Sequence, residues 1–298
     1  MGWFAATEDK FVMSNLCRAS GIPTPPILAV ADTSVRIYSG TRKIIDRNDL
    51  IAFLSENGGR PFFGKKLRGM EADQAFLSTN SSTSEVEMHG GRTVSIDDLF
   101  DLLQAGKFIL QPVVRNHSFF EDYTRNLATL RAGVFVYDNL IKLAFLFLRV
   151  PGGENVVDLF KAPGNIAASL DPQTGRITGL KQRQKIGAVD LGNFPGATRN
   201  AIGEALPFWP EVVDIMTRVA GTFAPVRFQS MDIALTHTGP VLIEVNTGGS
   251  FMGAQLANGL GLIGPNLLHF LQCFSVDLDA IPVGAPVESD SGAPTQGT

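Results

Sequence analysis

Cysteine is scarce in this 298-residue chain: only Cys17 and Cys273 occur, far apart and each in an apolar helical context. That excludes a disulfide-stapled scaffold and predicts two buried free thiols, suited to reducing cytosol, rather than a disulfide or metal site. Basic stripes are also missing. Lys and Arg number 25 against 29 Asp and Glu, for a net charge of −4, and they are scattered, so nucleic acid is not an expected partner. The N-terminus, Met-Gly-Trp-Phe-Ala-Ala-Thr, lacks a basic stretch followed by an apolar one, and Ala6 stands where a myristoylation motif requires Ser or Thr. No export and no lipid anchor are expected. The most hydrophobic region, Ala132 to Val150, is interrupted by Asp138, Asn139 and Lys142 and is too broken to span a bilayer; it reads as two buried strands around a turn. No membrane role follows. Neither a Walker motif nor Gly-x-Gly-x-x-Gly occurs, and no Ser-His-Asp or Cys-His arrangement is indicated; His89, His237 and His269 have no suggestive sequence neighbours.

What is present, at 44% hydrophobic and 18% charged residues, supports a well-buried core of one or two domains. A helix from Thr7, as its cap, to about Ser20 ends at Gly21 before Pro-rich extended chain. Strands are predicted over Ile27 to Val30, Val35 to Tyr38, Pro61 to Leu67 and Gln74 to Thr79, with helices over Arg47 to Asn57 and Asp97 to Gln104. These make a first lobe, residues 1–106. Longer strands from Phe108 to Val114, Leu127 to Val136 and Ile141 to Arg149 open a second lobe, residues 107–282. It continues with a small hairpin around Asp171 to Gly175, helices over Ala201 to Leu206 and Glu211 to Gly221, and a closing helix from Pro265 to Phe274. Residues 283–298 have too little apolar surface to fold and read as a disordered tail.

Gln229 to Asn246 carries the strongest chemical signal. Two apolar strands flank a turn at His237-Thr238-Gly239; if those three residues form the loop, Asp232 lies opposite Glu244, and Asn246, two residues on, shares their face. Ile233, Leu235, Val241, Ile243 and Val245 are assigned to the core face. Facing carboxylates destabilise a ladder unless a proton or cation sits between them. An oxygen-only set without His or Cys suits Mg²⁺, or Mn²⁺, with phosphate completing the coordination. For any one of these acids a solvated surface position is the commoner role. Lys65, at the end of an apolar strand, can reach a phosphate, while Lys66 points to the opposite face.

In order along the chain, Asp9-Lys10, Asn15-Leu-Cys-Arg-Ala-Ser-Gly-Ile-Pro-Thr-Pro25, Phe63-Gly-Lys65, Asp232 and Leu242-Ile-Glu-Val-Asn246 resemble the landmarks of the ATP-grasp superfamily. The likeness spans about residues 8 to 275. It implies an α+β, ATP-grasp fold: two α+β lobes with the nucleotide between two antiparallel sheets. By resemblance, Lys10 and Lys65 contact phosphates, Asp232, Glu244 and Asn246 hold Mg²⁺, and the interlobe segment with Gln111, Pro112 and Val113 holds adenine. Arg131 and Arg149 are similar in position to arginines of the sugar-transfer-associated ATP-grasp group, which implies a role at the triphosphate or an acyl phosphate; structural salt bridges are the alternative.

The implied activity is ATP-dependent carboxylate–amine ligation through an acyl phosphate, with small-molecule carboxylate and amine substrates. A kinase acting on a small-molecule hydroxyl and a turnover-deficient nucleotide-binding module are the alternatives. The superfamily's Rossmann-like domain ahead of Lys10 has no counterpart here, so the acceptor site is expected from the chain's own loops, a second copy or a partner protein. The glycine loop, Gly69-Met-Glu-Ala72, is thin, and Thr247-Gly-Gly-Ser250 lacks the basic residue several members place after the Asn. Candidate acceptor residues are Arg115, His117, Arg125, Asp158, Lys161, Asn165, Lys181, Arg183 and Ser250.

Overall fold

The computed structural model describes residues 3–69, 75–153, 155 and 162–274. Its first elements are α1 (Phe4–Glu8) and α2 (Lys10–Ala19), separated at Asp9. The sequence predicts one helix capped at Thr7, but Thr7 lies inside α1. Asp9 adopts an extended conformation and caps α2 by accepting from the Val12 amide at 3.2 Å, while Arg36 and Arg68 bind its carboxylate. Those arginines hold the Asp9 carboxyl below its usual range although burial pushes the other way. The break matters because it begins α2 on Lys10.

There follow β1 (Ala29–Ala31), β2 (Arg42–Ile44), α3 (Arg47–Asn57), β3 (Phe62–Lys66), β4 (Phe76–Ser81), β5 (Glu85–Met88), β6 (Thr93–Ser95), α4 (Ile96–Gly106) and β7 (Phe108–Pro112). Helix α3 has its predicted bounds, fixed by Asp46, which accepts from the Asp49 amide at 2.9 Å, and by left-handed Gly58. Residues 35–38 are not a strand, and β2, β5 and β6 are short additions to the expected set. The sheet order is β2-β1-β7-β3-β4-β5-β6, antiparallel except for β1 with β2. Strand β7, expected to open the second lobe, is therefore central to the first sheet, where it pairs with both β1 and β3. Helices α3 and α4 bury Leu50, Leu54, Leu99 and Leu103 against the sheet with Phe62 and Phe108.

The second sheet comprises β8 (Thr129–Tyr137), β9 (Leu140–Val150), β10 (Ile166–Leu170), β11 (Ile177–Arg183), β12 (Ala188–Leu191), β13 (Phe228–Thr236) and β14 (Gly239–Thr247), in the order β12-β11-β10-β9-β8-β13-β14 and antiparallel throughout. Helix α5 (Trp209–Thr222) precedes β13, and α6 (Phe251–Asn258) and α7 (Pro265–Cys273) follow β14. One face packs Leu130, Leu148, Met231, Ile233 and Leu242 against Val212, Ile215 and Val219 of α5 and Met13 and Cys17 of α2. Cys17 is buried as expected, and burial pushes its thiol up to about 12. Cys273 is exposed, contrary to expectation. No helix forms over Ala201 to Leu206: Gly203 has φ +94°, and the segment hydrogen bonds with Gly175 and Ile177 at the β11 edge. The expected tail, 283–298, and Met70 to Ala72 lie outside the described residues. Among the described residues no helix is long and apolar enough to cross a membrane.

Candidate functional site

The β13–β14 hairpin places Asp232 directly opposite Glu244, and Asn246 opposite Ser230. The route differs from the mirror-image reading. Thr236 pairs with Gly239 around a two-residue turn, and the pairing shifts by one between Ile233–Leu242 and Asp232–Glu244. Ile243 is thus the extra residue of a β-bulge. Before the bulge Leu242 faces the core, fully buried; Val241 and Ile243, both expected there, are only half-buried, and Ile243 faces the cleft.

Across the sheet one row runs Phe147, Arg131, Asp232, Glu244 on β9, β8, β13 and β14. Arg131 binds Asp232 with two bonds, Nε to Oδ1 at 2.7 Å and Nη2 to Oδ2 at 2.6 Å. Arg149 Nη2 adds a contact at 3.0 Å to Oδ2 and donates to Thr129 Oγ1 at 2.7 Å. Lys10 Nζ lies 3.0 Å from Glu244 Oε1 and donates to the Gly69 carbonyl at 3.0 Å. The repulsion between facing carboxylates is therefore answered by the protein's own cations, a correction to the premise that a foreign cation must resolve it. Burial alone would raise the Asp232 carboxyl, yet Arg131 and then Arg149 hold it at about 2.

Lys65 approaches from β3, where Nζ donates to the carbonyl of the bulged Ile243 at 3.3 Å. Gly64 before it is closely covered: a Cβ there would lie 2.3 Å from the Phe76 ring, which would have to shift. Burial pushes the Lys65 ammonium down to about 8, partly opposed by Glu244. Lys66, expected on the opposite face, also lines the cleft.

These groups surround one cavity of about 1040 Å³ between the two sheets. Every residue the sequence assigned to nucleotide, metal or catalysis borders it: Lys10, Lys65, Gln111, Pro112, Val113, Arg131, Arg149, Asp232, Glu244 and Asn246. Seven Lys and Arg side chains line it against three Asp and Glu, in a chain of net charge −4. Such a focus of positive charge favours a polyanion. Gln111 is tied down, its Nε2 donating to the Pro25 carbonyl at 3.0 Å. Val113 and Val114 lie past the last β3–β7 pair and line the cavity.

The oxygen-rich set fits a hard divalent cation. Glu244 and Asn246 share one face of β14 and both line the cavity, each with a side-chain oxygen that a hard cation accepts as ligand. Asp232 would share its oxygens between such an ion and the two arginines.

Of the acceptor candidates, Arg115, Arg125 and Ser250 line the cavity. His117 does not; its Nδ1 accepts from the Phe119 amide at 3.0 Å, and its ring lies 5.5 Å from that of His237, which does. Burial, then His237, lower the His117 imidazole below its usual range. Asn165 is a structural residue, accepting from the Gly152 amide at 2.9 Å. Lys181 pairs with Asp190, and Arg183 donates to the Gly187 carbonyl. Asp158 and Lys161 fall outside the described residues. Two features escaped the sequence reading: α6, whose Met252 and Gly253 help line the cavity, and the cluster of His269 and Cys273 with Asp138. A Gly-Gly lead-in hides the first, and the second joins a turn to a helix over a hundred residues away.

The model of a family described as sugar-transfer-associated ATP-grasp matches residues 3–269. Similar solved structures include D-alanine–D-alanine ligase from Helicobacter pylori, with 11% identity, 93% of this chain and 62% of that one covered, and a TM-score of 0.49. D-alanyl-alanine synthetase A from Vibrio cholerae has 14% identity, coverages of 91% and 65%, and a TM-score of 0.48. N5-carboxyaminoimidazole ribonucleotide synthetase from Thermotoga maritima has 11% identity, coverages of 91% and 50%, and a TM-score of 0.47. The chain spans about half to two thirds of the length of these structures. No curated protein sequence matches it.

Proposed function

Because this chain belongs to the sugar-transfer-associated ATP-grasp family and has the ATP-grasp fold, we propose that it is an ATP- and Mg²⁺-dependent carboxylate–amine ligase. The observation that carries this reading is the convergence of Lys10, Lys65, Arg131, Arg149, Asp232, Glu244 and Asn246 on one cavity between the two sheets. ATP would bind with its base against Pro112 to Val114 and its phosphates toward Lys10 and Lys65. Asp232, Glu244 and Asn246 would hold Mg²⁺, which when bound neutralises phosphate charge and polarises the transferring group.

In the first step a substrate carboxylate oxygen attacks the γ-phosphorus as the bond to the β-phosphate oxygen breaks, giving an acyl phosphate and ADP. An amine then adds to the acyl carbon, phosphate leaves with the bonding electrons, and the amine proton passes to solvent or phosphate. The reaction rests on positioning and charge stabilisation, and the residues suit that: Lys65 is held by a bulge carbonyl, Lys10 by Gly69, and both arginines by Asp232. The excess of cations suits two anions at once, a triphosphate and a carboxylate. Small-molecule substrates, without nucleic acid, and a second copy or partner protein are the proposed partners.

ADP release from Mg·ATP with pooled amino acids and small carboxylates, in the presence of hydroxylamine, tests the reading. Substrate-dependent ADP with hydroxamate is the expected result. ADP with a stable phosphorylated hydroxyl product and no hydroxamate would establish a kinase instead, and ADP binding without turnover would establish a binding module.

Lys65 makes nucleotide binding proton-linked. With an ammonium near 8, the free protein carries about half a proton on Lys65 at pH 8, and a bound phosphate favours the charged form. Binding at pH 8 therefore takes up a fraction of a proton on Lys65. Calorimetry of ADP binding in buffers of different ionisation enthalpy should give a buffer-dependent heat at pH 8, where the ADP phosphates are already fully ionised. Equal heats in all buffers at pH 8 would refute it.

A further inference from the structure

We propose that Asp138, His269 and Cys273 form a binding site for a borderline-soft divalent metal ion of the zinc class, which clamps α7 onto the β8–β9 hairpin. The three side chains bring a carboxylate, an imidazole and a thiol together, with ligand atoms all within 4.8 Å of one another. Cys273 Sγ donates to Asp138 Oδ2 at 3.5 Å, and His269 Nε2 lies 3.9 Å from the same oxygen. In a tetrahedral site with bonds of about 2.0–2.3 Å, ligand atoms sit roughly 3.5 Å apart, so small side-chain rotations suffice.

The scaffold is independent of the ligands. His269 and Cys273 are four residues apart on α7 and share a face. That helix is registered on the sheet by Phe270, stacked on Phe135 with centroids 4.5 Å apart, and by Asn266, which donates to the Leu143 carbonyl at 3.2 Å. Asp138 and Asn139 both have positive φ, 49° and 59°, in the tight turn between β8 and β9. Nitrogen and sulfur ligands select borderline metals, unlike the oxygen-only set in the cleft, and none of these three residues lines the cleft. A nucleophilic role fits less well, because the thiol donates to the carboxylate and the imidazole does not stand between them. Three protein ligands at an exposed position leave the fourth to water.

Titration of the full chain with Co²⁺ alone tests the site. The expected result is a thiolate-to-cobalt charge-transfer band that Cys273→Ser abolishes. His269→Ala and Asp138→Asn should each weaken Co²⁺ binding by at least the ~10–100-fold that loss of an outer-shell partner already costs. Cys17→Ser and Glu244→Gln should leave the band unchanged, separating it from the buried thiol and from the cleft. Zn²⁺ should slow alkylation of Cys273 and raise the Tm of the wild type but not of Cys273→Ser. A band that survives Cys273→Ser overturns the proposal. So does wild-type affinity in both His269→Ala and Asp138→Asn, or alkylation of Cys273 at the same rate with and without Zn²⁺.

Discussion

Glu244→Gln should abolish ADP formation in a protein that melts close to wild type, whereas Asp232→Asn should unfold far more readily. The two acids face each other across one ladder rung, yet their surroundings differ. The Glu244 side chain is 23% exposed with Lys10 as its ion-pair partner, and a glutamine oxygen still accepts from that lysine. The stability cost should stay within about 1 kcal/mol, as for other partly exposed pairs. Activity should fall by at least the 10²–10³-fold typical of removing one preorganised charge-stabilising group. Asp232 is 5% exposed and lies between two guanidinium groups. Neutralising it removes the acid both arginines share, and breaking a buried pair costs about 3 kcal/mol or more, a large part of an ordinary domain's stability. Urea unfolding beside the ADP assay separates the effects. Full activity in Glu244→Gln would sink the cleft assignment, and wild-type stability in Asp232→Asn would sink the ion-pair account. The same pairing sets an acid limit: with its carboxyl lowered to about 2, Asp232 contributes its stability above the unfolded value near 4, and that contribution is lost as pH falls toward 2.

Lys65→Met should move stability and activity in opposite directions. The folded ammonium titrates near 8 instead of 10.5, so at neutral pH the protein carries a charge its surroundings disfavour. Between those values the unfolded chain binds more protons, and wild-type stability should rise with pH across that window. A methionine fills similar space without the charge and should stabilise by about 1–3 kcal/mol at pH 7, with the gain shrinking above pH 10. Turnover should drop by about 10²–10³-fold. Chemical denaturation at pH 7 and pH 10 with steady-state kinetics checks both halves. A destabilised variant would mean that the bond to Ile243 outweighs desolvation, and an active one would remove Lys65 from the mechanism.

The hairpin that carries Asp232 and Glu244 was readable because apolar alternation and a turn fix which residues face each other. The pairing came out right through two offsetting differences, a shorter turn and a bulge, and the inward set came out wrong at Val241 and Ile243 for the same reason. Helix α3 was legible to the residue since Asp46 and Gly58 are strong local signals. Where long-range contacts decide, local pattern failed. Arg36 and Arg68 set the break at Asp9, and pairing with β1 and β3 places β7 in the first sheet. Arg131 and Arg149 line the cavity and form the salt bridges that the alternative reading names, but their common partner on β13 left no mark in sequence.

The row Phe147, Arg131, Asp232, Glu244 also orders the way the second sheet is assembled. Arg131 and Asp232 are 101 residues apart, whereas β8 and β9 meet through a tight turn. The local hairpin can close early, but it holds its arginines without their acid until β13 docks. Folding should thus have a late step in which the charge row closes at once, and chains caught before it would expose the long, unpaired edge of β8. That edge is where aggregation of newly made protein should begin.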